Sequence, residues 1–301
     1  MSPAPRAEGS GAVPENLPPR MDAHVHLSSW WPDVRRTGYR ADLDFSVKGL
    51  LSEMDENRIE RSLVLELPFA PTESEASAEG QSHYARSRGR LLPVATIDPT
   101  RGAASVQASV ERLAREISLA GLKLYPGYRL FYPHDARLDP VYEFASRRHL
   151  PVLLHQGDTL DGLGLLKFAR PLEVDEVAGR FREVRFVLCH LGNPWIDEAS
   201  ELVYKNENVY ADTSGLLPHP SARYFPRAVE YAAQRIEAAV VQSGRPDRFL
   251  YGSDWPMASL GASVGLVERL GIEEADRLDI LGANLARLLP PIALSTGGFS
   301  V

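Results

Sequence analysis

The sequence predicts an α/β protein, a single (β/α)8 TIM barrel, and three observations predict it. Short β-type runs alternate with longer helical runs from residue 20 onward, and there are eight of the β-type runs. The residues able to do chemistry fall at the C-terminal end of one run after another. In a (β/α)8 barrel those ends gather at one mouth, where the active sites of this fold lie.

The eight runs are 21–27 (MDAHVHL), 61–67 (RSLVLEL), 91–98 (LLPVATID), 121–126 (GLKLYP), 151–157 (PVLLHQG), 185–192 (RFVLCHLG), 209–215 (VYADTSG) and 249–256 (FLYGSDWP). Each is short, rich in Val, Leu, Ile or aromatic residues, and bordered by Gly or Pro. Between them, Val106, Val110, Leu113 and Ile117 repeat at helical spacing, as do Leu278, Leu281, Leu285 and Leu288 near the end of the chain. An open doubly wound sheet alternates in the same way. However, no G-x-G-x-x-G follows the first run, as the dinucleotide-binding version of that sheet requires. The run-end residues decide for the barrel. From His26 through Glu66, Asp98, Lys123, His155, His190 and Asp212 to Asp254 they are 22 to 42 residues apart, close to the ~30 residues of one βα unit.

The barrel is expected over 20–290, between a disordered N-terminal tail (1–19) and a short C-terminal tail (291–301). The first 18 residues are rich in Pro, Gly, Ser and Ala and lack the apolar run of a signal peptide. No stretch reaches the ~20 apolar residues of a membrane span. A cytoplasmic protein is therefore expected, with no membrane partner. Net charge is −7, which gives no reason to expect nucleic-acid binding. The one cysteine, Cys189, rules out an internal disulfide. Strand alternation points Cys189 opposite to His190, so it is expected to pack against the helices and not to act as a nucleophile. No G-x-S-x-G elbow is present, which argues against a serine hydrolase.

His24 and His26 are one residue apart in the first run, so they share a face of the strand. Buried imidazoles are costly unless their nitrogens are satisfied. The pair alone fits either hydrogen-bonded core histidines or ligands to an ion. The rest of the mouth favours the ion. His24, His26, His155 and Asp254 offer three imidazole nitrogens and a carboxylate, a set that holds a divalent metal and leaves a coordination position open. Such an ion lowers the pKa of a water it binds. Asp254 beside it could move a proton, and His190 suits polarisation of a carbonyl or protonation of a leaving group.

The motifs DAHVH (22–26), VLLHQGD (152–158), FVLCHLGNPW (186–195) and LYGSDWP (250–256) resemble the strand-end motifs of the amidohydrolase superfamily, most closely its amidohydrolase-related branch. The resemblance spans about 20–290 and implies a metal-dependent TIM-barrel enzyme. His24 and His26 would be the first-strand metal ligands, His155 the fifth-strand ligand and His190 the sixth-strand histidine. Asp254 would touch the metal and handle a proton. The resemblance also implies one divalent ion, with Zn the first choice and Mn, Fe or Co able to share such ligands, and a homodimer. Lys123 stands near where some superfamily members carry a carboxylated lysine that bridges two metals. A single metal with Lys123 unmodified fits the branch better, leaving the lysine to hold a substrate carboxylate or pair with Glu66 or Asp98.

Loops after the strands set substrate choice in this fold. They carry Trp30 and Trp31, then Tyr128, Arg129, Phe131, Tyr132 and His134, then His219 and Arg223. Aromatic rings with arginine suit a planar or carboxylated small molecule, although the same residues could cover barrel rim. Lys123, Arg129, Trp30 and His219 are the candidate substrate contacts. The leading expectation is a hydrolase that acts on an amide, lactone or ester-like bond. The alternative is a nonoxidative decarboxylase, and a metal-binding barrel without turnover stands behind both.

Overall fold

A computed structural model of the chain describes residues 18–291 except 32, 33, 35–37, 69, 117, 161 and 163. Ile117 and nearly all of both expected tails lie outside the described residues. Eight parallel strands follow one another in order: β1 (Arg20–Val25), β2 (Ile59–Leu65), β3 (Leu91–Thr96), β4 (Gly121–Leu124), β5 (Val152–Leu154), β6 (Phe186–Leu188), β7 (Val209–Asp212) and β8 (Phe249–Leu250). Three bonds join the segment that follows β8 to β1 and the residue after it, closing the ring: Ala23 N–H to Tyr251 O at 2.8 Å, Asp254 N–H to His24 O at 2.8 Å and His26 N–H to Trp255 O at 2.7 Å. The strands match the expected runs but end earlier, so most of the chemistry-bearing residues begin the loops.

Ten α-helices occur among the described residues: α1 (Val47–Glu56), α2 (Glu73–Arg86), α3 (Ala103–Leu113), α4 (Asp139–Arg148), α5 (Asp175–Arg180), α6 (Ile196–Lys205), α7 (Phe225–Ser243), α8 (Leu260–Glu268), α9 (Glu274–Leu278) and α10 (Asn284–Leu288). Side-chain caps start several of them. Ser46, Thr72 and Ser259 accept from the backbone N–H of Gly49, Glu75 and Ala262, which satisfies donors that the first turn leaves unpaired. Val106, Val110 and Leu113 are buried as the helical spacing requires. The last leucine stripe is altered. A π-turn over Asp279–Ala283 joins α9 to α10, burying Ile280 and Leu281 together while Leu278 stays half-exposed.

Two apolar layers result. The larger packs strand residues such as Val25, Val64, Leu122, Leu154 and Leu188 against the helices. The smaller fills the barrel with Leu63, Leu65, Leu92, Val94, Leu153, Val187 and Leu250, together with Leu285 and Leu288 of α10. Cys189 belongs to this inner cluster, which corrects the expectation that it packs on the helices. Alternation from Val187 carries Cys189 inward. It is His190 that breaks the pattern, because His190 and Leu191 take φ of 60° and 48°. That left-handed kink sends the imidazole to the mouth although Cys189 already faces inside.

Glu66 follows β2 in the phase of Val64 and turns toward the helical layer, so its carboxylate does not join the mouth. Its Oε2 accepts from Thr96 N–H at 3.0 Å, and burial pushes its pKa up to about 8 from an ordinary 4.5. Between those values the folded chain keeps a proton that the unfolded chain has released, so rising pH costs stability. Glu66→Gln cannot ionise. It is expected to match the parent near pH 5 and to be more stable near pH 8 by about 3–4 kcal/mol, read from urea midpoints across that range.

Candidate metal centre and adjoining cavity

A β-bulge sets the first-strand ligand candidates. Asp22 pairs with Ser62 and Val25 with Val64, so Ala23 and His24 together oppose Leu63 alone. Ala23 joins the inner cluster and His24 still reaches the mouth. The bulge leaves His24 N–H outside the ladder, and Asp22 Oδ1 accepts it at 2.9 Å along with Ser253 N–H at 3.1 Å. Asp22 is wholly buried, and burial pushes its pKa up to about 7.

The tautomers of the two histidines follow from their partners. His24 Nδ1 lies 2.9 Å from Asp212 Oδ2, and His26 Nδ1 lies 3.0 Å from the carbonyl of Leu65. Both partners only accept, so each Nδ1 carries the proton and each Nε2 presents a lone pair. Those two Nε2 atoms face each other at 3.2 Å. Asp254 Oδ1 stands 3.6 Å from the first and 3.3 Å from the second. Three electron-rich atoms thus converge with no proton assigned between them, and this donor set fits a divalent cation. Burial, with Lys123 and the neighbouring imidazoles, holds His24 well below its ordinary pKa, which keeps it a neutral base.

Asp212 anchors the next layer. Besides His24, it accepts His190 N–H at 2.9 Å and Ser214 N–H at 3.1 Å, and Ser214 Oγ also donates to it. Sequence reasoning placed Asp212 at a strand end without a role; the D-x-S of VYADTSG was the available signal. His155 stands apart from the three converging atoms. Its Nε2 lies 2.9 Å from Asp158 O and its Nδ1 3.2 Å from His190 Nε2. Burial, then Lys123, lowers His155 to about 3. Burial with His24 and His155 likewise keeps His190 well below its ordinary pKa.

The expected substrate contacts are redistributed. Lys123 is fully buried inside the barrel, its Nζ donating to Cys189 Sγ at 2.8 Å and lying 5.1 Å from the Tyr125 ring centre. It neither lines the mouth cavity nor pairs with Glu66 or Asp98, because it precedes the end of β4 and faces inward. Arg129 is taken up by Asp98 (3.2 Å) and by Pro68 O (3.0 Å), bracing loops away from the cavity. Trp30 is exposed, whereas Trp31 sets its ring edge-on to His26 at 6.0 Å. His219 does line the cavity, with its nitrogens near Gly38 O and Ser221 Oγ.

That cavity, of about 530 Å³, opens beside Asp254 and His190. Leu216, Leu217, Pro218, Met257 and Ile196 give it apolar walls, and Tyr128, whose ring lies 4.7 Å from His155, covers one side.

The amidohydrolase family model matches residues 21–290. The chain belongs to the amidohydrolase family. Among curated proteins none matches it. Of solved structures, an uncharacterized TIM-barrel protein from Bordetella bronchiseptica is 20% identical at a TM-score of 0.70, covering 92% of this chain and 99% of that one. A probable 2-pyrone-4,6-dicarboxylic acid hydrolase from Acinetobacter baumannii, with citric acid bound, is 17% identical at 0.63, covering 90% and 98%. A dihydroxybenzoic acid decarboxylase from Polaromonas sp. JS666, with manganese and an inhibitor bound, is 17% identical at 0.64, covering 89% and 96%. At these identities the likeness shows the fold. No helix among the described residues is long and apolar enough to cross a membrane.

Gly215 offers a test of the geometry around His190. Its φ is 65°, and a Cβ there would lie 2.5 Å from His190 Nδ1. Gly215→Ala is expected to cost about 1–3 kcal/mol in a denaturation midpoint and to shift the His190 imidazole resonances. An unchanged midpoint and spectrum would contradict this packing.

Proposed function

We propose that this amidohydrolase-family enzyme is a divalent-metal-dependent carboxy-lyase that removes CO2, without oxidation, from a small planar carboxylated substrate. The observation that carries the reading is Asp254: its Oδ1 faces both imidazole Nε2 atoms, and the same residue lines the apolar cavity. His24, His26 and Asp254 would hold the ion. Zinc is the first choice for this donor set, and manganese, iron and cobalt accept the same ligand types; the Polaromonas enzyme, a decarboxylase by name, holds manganese. A bound ion would supply positive charge that orients the oxygen substituents of the substrate.

The chain's own residues account for the rest. Apolar walls strip water from a carboxylate, whose concentrated charge suffers more from that loss than a charge spread over a ring as CO2 departs. The carbon that loses CO2 must gain a proton, which Asp254 would take up from solvent and pass on. His190, kept neutral by burial, can donate or accept a hydrogen bond at the substrate without adding charge. Hydrolysis is the second reading. An aspartate beside an ion site can equally take a proton from water, and the Acinetobacter relative is named a probable hydrolase.

Elemental mass spectrometry of the purified protein is expected to find about one ion per chain, lost in His24→Ala and in His26→Ala. Asp212→Asn should weaken metal affinity by about 10- to 100-fold, because His24 loses the partner that fixes its tautomer. His155 is proposed as a further ligand once its ring leaves Asp158 O, so His155→Ala should weaken binding less than either first-strand change. No metal after reconstitution would end the reading.

The reaction itself is tested with hydroxybenzoic and dienoic acids and with carboxylated lactones, each labelled with ¹³C at the carboxyl group, in H₂¹⁸O. Labelled CO2 with no ¹⁸O in the organic product is expected. Asp254→Asn should lower turnover by about 10²–10⁴-fold while the chain stays folded. Organic product carrying ¹⁸O, without CO2 release, would put hydrolysis in its place.

A further inference from the structure

One wall of the cavity is a helix face. Ala228, Tyr231, Ala232 and Arg235 of α7 all line it, at positions i, i+3, i+4 and i+7, the spacing of neighbours along one side of a helix. Arg235 is the only arginine or lysine in that lining among the described residues. Several other arginines of the fold are paired with a carboxylate. Arg112, Arg137, Arg170 and Arg180 each meet a carboxylate within 4 Å. Arg235 meets none among the described residues. Instead its Nη1 donates to Asn193 Oδ1 at 2.7 Å, its Nη2 donates to Pro194 O at 2.6 Å, and its guanidinium carbon lies 5.4 Å from the Tyr231 ring centre.

Those partners fix the plane of the guanidinium without neutralising it. Two of its five N–H groups are used, and the others have no protein acceptor among the described residues. A charged fork held in place by neutral groups, on an apolar wall, suits a carboxylate taken in two parallel hydrogen bonds. The aspartate of the proposed chemistry, Asp254, lines the same cavity but belongs to the loop after β8, on a different element.

We propose that Arg235 is an anion subsite, and that the substrate is a planar acid with two carboxylates: one at Asp254 and His190, where the reaction occurs, and one on Arg235. The assignment rests on the preceding reading of this cavity as the substrate site, and it narrows the substrate class from carboxylated to dicarboxylated.

The test is binding, which does not depend on turnover. Benzoate and the three benzenedicarboxylates (1,2-, 1,3- and 1,4-) are titrated into metal-loaded protein by calorimetry. At least one dicarboxylate is expected to bind about tenfold or more tightly than benzoate. Arg235→Gln should erase that preference while leaving benzoate affinity, metal content and melting temperature near the parent values. Arg235→Lys keeps the charge but not the fork and should keep part of the preference; it also serves if the glutamine variant does not fold. Equal affinity for benzoate and every dicarboxylate, no binding of any dicarboxylate by metal-loaded protein, or a preference that survives Arg235→Gln would each overturn the proposal. A chain that releases no CO2 yet shows the Arg235-dependent preference would lose the lyase reading and keep the subsite.

Discussion

The structure of the mouth depends on one constraint: two imidazole lone pairs and a carboxylate oxygen are held together without a proton to share. Asp212 and the carbonyl of Leu65 each claim an Nδ1–H, so neither ring can turn a donor toward the other. Electrostatic repulsion among such atoms in a buried site is unfavourable until a cation compensates it. The scaffold must therefore supply the stability that the site withholds. Two nested apolar layers do so, the outer one under the helices and the inner one filling the barrel below the mouth.

Backbone irregularities convert that stable barrel into a site. Regular alternation would give one inward residue in two along each strand. The β1 bulge brings Ala23 to the inner cluster and His24 to the mouth, and Asp22 accepts the N–H that this arrangement strands. The left-handed turn at His190 does the same service after β6, using both Cys189 and His190 on the inner side. At both places the ladder gives up regularity and a buried aspartate, Asp22 or Asp212, satisfies the freed N–H groups.

This explains what could be read from the sequence. The eight strands were legible because each is a short apolar run ending in Gly, Pro or a polar residue, and the pairing of His24 with His26 was legible because period two survives the bulge. The direction of Cys189 was not, since alternation was carried through a residue whose φ is positive. Lys123 looked like a strand-end cation from its run, yet it lies one residue before β4 ends and faces the barrel interior. Arg129 was drawn to Asp98, a partner that spacing along the chain does not reveal. Arg235 was missed for a different reason: attention to strand ends cannot find a cavity residue that a helix supplies.

The cavity joins these levels. Its mouth-facing side is built from the strand ends, where burial and neighbouring positive groups keep His24, His155 and His190 below their ordinary pKa, whereas its α7 wall is apolar except for one tethered guanidinium. An ion at His24, His26 and Asp254 would sit at one part of this space, and Arg235 places a second positive charge at another. A ligand with a single carboxylate can satisfy only one of them, leaving the other without a counter-charge from the ligand. Two charges at separate points of a largely apolar volume therefore select for length and for a second acid group together. That selection is set by helix α7 and the Asn193–Pro194 turn, and the reaction by the strands, so substrate choice can vary on this barrel without disturbing the chemistry at its mouth.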